Sequence, residues 1–182
     1  MPAVHTRLAG FSGEDVCRLH TMLAHGSTPV TLLVEADGAR GLLLKAPADY
    51  EPVIPRCASA VCVVAGLDAL GRPLDEQVAH RIERITALTG AQAGAAITPQ
   101  MMVALLSHPE GGLKGIPAGA HTIAVLNQRD AHQPYPDGAR IARGLAARGF
   151  DRVVVAALRG AQPVLQVIER ATNTQSASRD AD

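Results

Sequence analysis

The chain is 182 residues long, with 47% apolar and 19% charged residues, which is typical of one globular domain rather than a disordered chain. Its 17 basic and 17 acidic residues cancel, and aromatic residues make up only 2%. It therefore lacks both the positive field and the stacking side chains with which proteins bind nucleic acid. No apolar run reaches the roughly 18 residues of a membrane span. We expect a cytoplasmic protein that binds neither nucleic acid nor membranes.

The three cysteines, Cys17, Cys57 and Cys62, form no C-x-x-C pair. Cysteine often behaves as a small buried hydrophobe, and disulfides are rare in reducing compartments. The cysteine pattern therefore favours buried or inert thiols in all three positions. Zinc bound by the three cysteines and one histidine is the alternative, although the spacing matches no zinc finger.

The N-terminal third predicts a helix, a strand and a long irregular loop. Ser12 and Asp15 have the spacing of a capping box at the start of a helix that ends near Gly26. Residues 30–35 are rich in apolar and β-branched side chains, as in a strand buried on both faces of a parallel sheet. Glycines and prolines in residues 35–55 exclude a regular element throughout, and a long ordered loop is usually functional.

The rest of the chain alternates between strand and helix patterns. Strands are predicted over residues 60–66, 122–127, 152–157 and 164–168. Helices are predicted over residues 73–90, 98–106 and 137–149. The alternation predicts an α/β fold with a mainly parallel sheet flanked by helices, in which 30–35 and the first three of these strands are parallel and central. Residues 1–170 should form one domain, and 171–182 a disordered tail.

An acidic, glycine-rich turn follows the first predicted strand. Glu35 and Asp37 have the oxygen ligands that Mg²⁺ prefers beside a phosphate chain. Gly38 and Gly41, with Arg40 between them, would let backbone amides approach an anion closely. The turn is therefore a candidate for the magnesium and phosphate side of a nucleotide site, with Asp37 as the metal ligand. A turn that only ends the strand remains the alternative.

Two further strand ends carry a guanine-type pattern. Asn127 and Asp130 follow the 122–127 strand with the spacing of the Asn-Lys-x-Asp motif, although Gln128 stands where that motif has lysine. Leu158 follows the 152–157 strand, where a backbone amide could meet a guanine oxygen. The alternative for Asn127 and Asp130 is a simple Asx turn.

Two loops contain the only lysines of the chain, Lys45 and Lys114. Because the other basic residues are arginines, the use of lysine favours a binding role for its compact charge. We expect Lys45, Lys114 and His108 to lie near Asp37 as a site for an anion or a partner, and Lys→Ala changes to leave the melting temperature almost unchanged. The alternative is lysines on unrelated surfaces.

The same lysines show that these 182 residues contain no Walker A loop. A G-x-x-x-x-G-K-[ST] motif needs lysine followed by serine or threonine. Lys45 precedes Ala46, and Lys114 precedes Gly115.

Several stretches together resemble a known family. They are residues 33–41, 44–48, 51–55, 66–71 and 108–111, then Lys114 with Gly115, and Leu126 and Asn127 with Asp130. Over about residues 32–158 the chain resembles the YqeC-like family, whose members are described as accessory proteins of selenium-dependent molybdenum hydroxylases.

The resemblance implies a P-loop NTPase-like domain that is incomplete at its N-terminus. Family members carry a Gly-rich, Lys-Thr-containing phosphate loop upstream of the acidic turn, whereas here only about 30 residues precede the 30–35 strand. Either the start is truncated or the chain is a variant without the loop. Complete members would bind GTP or ATP with Mg²⁺, but hydrolysis by this chain alone is not expected, because the phosphate cradle is missing.

The resemblance also implies a partner, namely a molybdenum hydroxylase or its maturation machinery. Two other functions remain open. One is a non-catalytic module that docks on a partner enzyme through the two lysine loops, and the other is a domain that binds a small anion or cofactor. A missing N-terminal strand should leave a vacant sheet edge, which would favour a homo-oligomer.

Overall fold

The structure is a computed structural model that describes residues 10–26, 28–128 and 137–171. Its elements in chain order are α1 (Gly13–Ala24), β1 (Leu44–Lys45), β2 (Ala60–Gly66), β3 (Ala79–His80), α2 (Ile82–Thr89), α3 (Pro99–Leu106), β4 (His121–Asn127), α4 (Gly138–Ala146), β5 (Arg152–Ala156) and β6 (Val164–Glu169). A short 3-10 turn, Leu67–Ala69, follows β2. Among the described residues, none of the helices has the length and apolar character needed to span a bilayer.

A four-stranded sheet in the order β2-β4-β5-β6 organises the molecule. β2, β4 and β5 are parallel, and β6 runs antiparallel to β5. β1 and β3 form a separate two-stranded parallel sheet. The α/β prediction is confirmed at this level, and three of the four strands predicted to be parallel are so. Of these three, β4 and β5 are central, whereas β2 lies at an edge of the sheet.

The predicted strand over residues 30–35 is wrong. Residues 28–39 form no regular element, and the Leu33 side chain is 89% exposed. Val53 N–H donates to Ala36 C=O at 3.2 Å, which is a single contact with a loop rather than a strand ladder. An apolar, β-branched sequence becomes a strand only when a neighbouring strand pairs with it, and here none of the described strands does so.

The helix predicted over residues 73–90 is about half as long, because a turn and a strand replace its first part. Asp75 Oδ1 accepts from Gln77 N–H at 2.9 Å, which closes an Asx turn. The chain then extends through β3, where Ala79 pairs with Leu44. Arg81 has φ +63°, outside the helical region, so α2 begins only at Ile82.

The helix starts that were predicted from capping residues are confirmed. Ser12 Oγ accepts from Asp15 N–H at 3.1 Å and donates to Asp15 Oδ2 at 2.6 Å. The pKa of Asp15 is lowered chiefly by this side-chain hydrogen bond. Thr98 Oγ1 accepts from Met101 N–H at 3.2 Å, and Pro99 is the first residue of α3.

Among the described residues, helices pack on one face of the four-stranded sheet. α4 packs on β4, β5 and β6, and α3 packs on α4. The core under these helices is fully buried and contains Leu126, Ile141, Leu145, Phe150 and Val153. On the opposite face, the register aligns Val64, Val125, Val154 and Val167 in one row across all four strands. Val64 in this row is 63% exposed.

The expectation of three free thiols is wrong for two of them. Cys17 in α1 and Cys57 before β2 form a disulfide with a Cα–Cα distance of 5.7 Å. A separation of 40 residues gives no pattern that sequence spacing could reveal. α1 has no buried residue, so apolar packing does little to hold it. The disulfide attaches it covalently to the segment that leads into the sheet. Cys62 in β2 is a free, exposed thiol.

The two phenylalanines of the chain give a matched test of this core. Phe150 is fully buried, whereas Phe11 is 79% exposed. We expect Phe150→Ala to lower the free energy of unfolding by about 3–5 kcal/mol, because it removes apolar contacts and leaves a cavity. Phe11→Ala should change it by less than about 0.5 kcal/mol. Chemical denaturation monitored by circular dichroism measures both, and equal effects would contradict the assignment of the core.

Candidate functional site

The candidate site lies beside the carboxyl ends of the parallel strands. Gly66, Asn127 and Ala156 end β2, β4 and β5 and stand in one register row. Gly66 N–H donates to Leu43 C=O at 2.9 Å, which holds the loop before β1 against this row. A Cβ at Gly66 would lie 2.7 Å from Leu43 Cδ2 and 3.1 Å from Leu43 Cβ, so any larger residue would have to displace the Leu43 side chain. In open α/β sheets, ligands bind outside the carboxyl ends of the strands.

Lys45 is the centre of an ion-pair network next to this row. Its ammonium contacts Asp37 Oδ1, donates to Gly38 C=O at 2.9 Å and lies 2.7 Å from Glu51 Oε2. The side chain is only 10% exposed. Three acceptors match the three ammonium protons, so Lys45 is fully satisfied. Lys45→Ala would remove the cation of Asp37 and one of the two cations of Glu51, so we now expect it to lower the melting temperature rather than to leave it almost unchanged.

Glu51 joins Lys45 to Arg81. Arg81 donates to Glu51 through both terminal nitrogens, at 2.6 and 3.0 Å, and to Ala46 C=O at 3.3 Å. Ala48 N–H adds a hydrogen bond to Glu51 Oε2 at 3.2 Å. Hydrogen bonding from Arg81, followed by that from Lys45, lowers the pKa of Glu51 to about 2. The bond to Glu51 in turn raises the pKa of Arg81.

Lys114 holds the same loop from its other end. Its ammonium donates to the backbone carbonyls of Ala48 at 2.7 Å and Asp49 at 3.2 Å, and lies 3.6 Å from Glu110 Oε2. The two lysines therefore meet on one loop, residues 46–51, although each is occupied by protein acceptors. His108 Nδ1 accepts from Glu110 N–H at 3.0 Å, which places His108 in the turn of the Lys114 loop.

The acidic turn has a role in local structure as well. Ala39 C=O accepts from Leu42 N–H at 3.0 Å, and Arg40 and Gly41 between them have φ +55° and +77°. Positive φ at both central positions is the pattern of a type I′ turn. Glu35 and Arg40 are exposed. Asp37 is bound to Lys45, and within the described residues no group of three or more His, Cys, Asp or Glu is arranged to hold a metal ion.

The two predicted guanine loops are in direct contact. Asn127 Oδ1 accepts from Leu158 N–H at 3.0 Å, which links the ends of β4 and β5. The same bond occupies the Leu158 amide that was assigned to a guanine oxygen, and Ala157 N–H donates to Pro163 C=O at 2.9 Å. Gln128, which replaces the motif lysine, is buried. Asp130 lies outside the described residues, so its role stays a prediction.

Sequence reasoning did not assign Glu51 and Arg81 as site residues. Glu51 was visible only as part of a family-like stretch, and Arg81 lay inside a predicted helix, where its φ of +63° could not be foreseen. The signal that could have found them is the compensation of charge. A buried lysine beside one aspartate can form a further charge-assisted hydrogen bond with a second carboxylate. That carboxylate can in turn accept hydrogen bonds from an arginine.

The pH dependence of stability tests the network. Folding lowers the pKa of Glu51 from 4.5 to about 2, so its contribution to stability is complete above pH 4.5 and is lost as the pH falls toward 2. We expect the melting temperature to fall over this window, and Glu51→Gln to flatten that fall while lowering stability at neutral pH. Glu14→Gln, which alters an exposed helical ion pair, is the control. A Glu51→Gln profile parallel to that of the native chain would contradict the network.

Comparison with known proteins supports the family resemblance. Residues 2–83 match the profile of a family described as YqeC protein. An Escherichia coli (strain K12) protein described as "Uncharacterized protein YqeC" is 36% identical over 97 residues, which are 53% of this chain and 38% of that relative. The match thus spans well under two thirds of the relative's length. No solved structure gave a significant match.

The match to the profile covers the ion-pair network and differs in extent from the expected 32–158. It begins earlier and ends at residue 83, so the likenesses at 108–111 and near Asn127 stay predictions. Asp37, Lys45, Glu51 and Arg81 all lie within it. Residues 2–83 are therefore similar to the YqeC family, as the motifs within that range indicate.

Proposed function

We propose that the chain acts as a non-catalytic accessory domain in the maturation of selenium-dependent molybdenum hydroxylases, with an ancestry in P-loop NTPases. The YqeC likeness of residues 2–83 supports the role, and the parallel β2-β4-β5 arrangement is compatible with the ancestry. Within these 182 residues there is no Walker A loop, so a task in binding a partner fits better than nucleotide hydrolysis by this chain alone.

The observation that carries this proposal is the ion-pair network around Lys45. Burying charges costs desolvation energy, so such networks add little to stability compared with apolar packing. The network fixes the conformation of the 46–51 loop, because Lys45, Arg81 and Lys114 bind the loop at several points. An ordered loop binds a partner without a further loss of conformational entropy.

The tip of the ordered loop has the chemistry of a docking site. Asp49 and Tyr50 are exposed. Tyr50 is one of two tyrosines in the chain, and 76% of its surface is exposed. Exposed tyrosines on rigid supports are frequent anchors of protein interfaces. Arg84 Nη1 lies 2.9 Å from Asp49 Oδ1 and steadies the tip. We infer that the partner hydroxylase, or a protein of its maturation machinery, contacts the loop at Tyr50.

A complementation experiment tests this role. In a host deleted for its own YqeC-like gene, the native chain should raise the fraction of active selenium-dependent hydroxylase, and Tyr50→Ala should lower that fraction severalfold. Because Tyr50 is exposed, the melting temperature of the Tyr50→Ala variant should differ from that of the native chain by no more than surface substitutions usually cause. Phe11→Ala removes an equally exposed aromatic ring elsewhere and is the matched control. If the native chain restored no more activity than an empty vector, the proposed role would be wrong.

Binding of a nucleotide is a second, weaker component of the proposal. Asn127 and Asp130 retain the guanine-type spacing, and the Asn127–Leu158 hydrogen bond brings two strand ends together. Most affinity for nucleotides comes from phosphate contacts with backbone amides, lysine and Mg²⁺. Lys45 and Lys114 are occupied by protein acceptors, and no phosphate loop is present in this sequence.

We therefore expect GTP and guanosine to bind with similar, weak affinity, with or without Mg²⁺. Titration calorimetry of the two ligands measures this directly. Tight GTP binding that depends on Mg²⁺ would show that a phosphate site exists which these contacts do not reveal. Inosine in place of guanosine is the control for recognition of the base, because it lacks the exocyclic amine.

A further inference from the structure

A groove between α3 and α4 combines two arginines with an apolar floor. Its volume is about 230 Å³, and it shares no residue with the ion-pair network around Lys45. The residues that form it are Gln100 and Val103 of α3, Arg140, Ile141 and Gly144 of α4, and Arg148 just after α4. This α3–α4 groove is therefore a second concave site, away from the carboxyl ends of the strands.

The position of Gly144 lets both arginines reach one point of the groove. Arg140 precedes Gly144 by four residues and Arg148 follows it by four, which is about one helical turn in each direction. Residues at this spacing are neighbours on one helix face. Gly144 has no side chain to separate the two guanidinium groups. A Cβ there would lie 3.1 Å from Val103 Cγ2, so α3 forms the opposite wall at this point.

The positive charge of the groove is not neutralised by the helices that form it. Neither Pro99–Leu106 nor Gly138–Ala146 contains an aspartate or a glutamate. Arg140 Nη1 lies 3.8 Å from Asp137 Oδ1, and exposed pairs of this kind are weak. Arg148 forms no ion pair with any residue of 10–26, 28–128 or 137–171. Because the whole chain has a net charge of zero, this excess of positive charge is local.

From this arrangement we propose that the α3–α4 groove binds a small organic anion. Its carboxylate or phosphate group lies between the guanidinium groups of Arg140 and Arg148, and its compact apolar body packs on Val103. The planar fork of arginine matches the paired oxygens of either group. Pockets for drug-sized ligands have about 300–1,000 Å³, so the body is no larger than a single ring. The inference does not rest on the proposed accessory role.

The selection of two arginines out of three favours a small molecule over an acidic protein surface. Arg143 is also exposed on α4 and forms no ion pair with the residues that the structure describes, but it does not line the groove. An acidic protein surface that docked on α4 through charge would use Arg143 as well. A molecule held inside the groove would contact Arg140 and Arg148 alone.

A titration of the full chain by nuclear magnetic resonance tests the site. Benzoate and phenyl phosphate are the probes, and they distinguish a carboxylate ligand from a phosphate ligand. At least one of them should shift the backbone amide signals of Gln100, Val103 and Gly144 in a saturable way. Benzyl alcohol keeps the ring without the charge, and acetate keeps the charge without the ring. Each should bind more weakly than the better probe by about tenfold or more.

Arginine variants test which charges hold the anion. Arg140→Gln and Arg148→Gln should each weaken binding of the better probe by about tenfold or more, because each removes a charge-assisted hydrogen bond. Arg143→Gln is the matched control and should weaken binding by about twofold at most, since solvent and salt screen its charge. All three side chains are exposed, so the variants should fold, which circular dichroism checks.

Three results would each overturn the proposal. The first is a native chain in which neither probe causes a saturable shift. The second is an equal loss of affinity in Arg143→Gln, or acetate binding as tightly as benzoate, because either would indicate attraction by charge alone. The third is a hexaglutamate peptide that binds more tightly than both probes and depends on Arg143, which would indicate an acidic protein partner.

Discussion

The fixed ammonium of Lys45 is the constraint on which the candidate site depends. Asp37 and Glu51 reach it from two stretches that are separated by a long irregular path, and Arg81 reaches Glu51 from the start of α2. The stretches that carry Asp37 and Glu51 contain no regular element, whereas Lys45 and Arg81 are placed by the pairing of β1 with β3. Ion pairs between little-exposed side chains therefore position the 46–51 loop, whereas strand pairing positions the residues of the four-stranded sheet.

The sheet depends on the burial of apolar runs, whereas the network depends on the pairing of individual charges. This difference explains which parts could be predicted from the sequence. β2, β4 and β5 were predictable because each is a short apolar run, and burial on a sheet requires such runs. Residues 30–35 have a similar composition, but none of the described strands pairs with them, so composition alone was misleading there. The antiparallel direction of β6 and the early turn at Asp75 depend on tertiary contacts that leave no periodic signal.

The site was predictable in its lysines and acidic turn and unpredictable in its pairing. The scarcity of lysine singled out Lys45 and Lys114, and the structure brings both to one loop. Their occupation by protein acceptors could not be foreseen, because it depends on the position of Glu51 and on two carbonyl groups. For the same reason the hydrogen bond between Asn127 and Leu158 could not be predicted, although both residues had been identified as candidates.

The disulfide between Cys17 and Cys57 encloses an exposed irregular stretch of the chain. Residues 28–39 lie between the two cysteines and contain the exposed Leu33. A protease that cuts this stretch would produce two pieces that remain joined through sulfur, so α1 would stay beside the sheet until a reductant arrived. The covalent loop thus keeps α1 attached to the rest of the molecule even when the backbone is cut within residues 28–39.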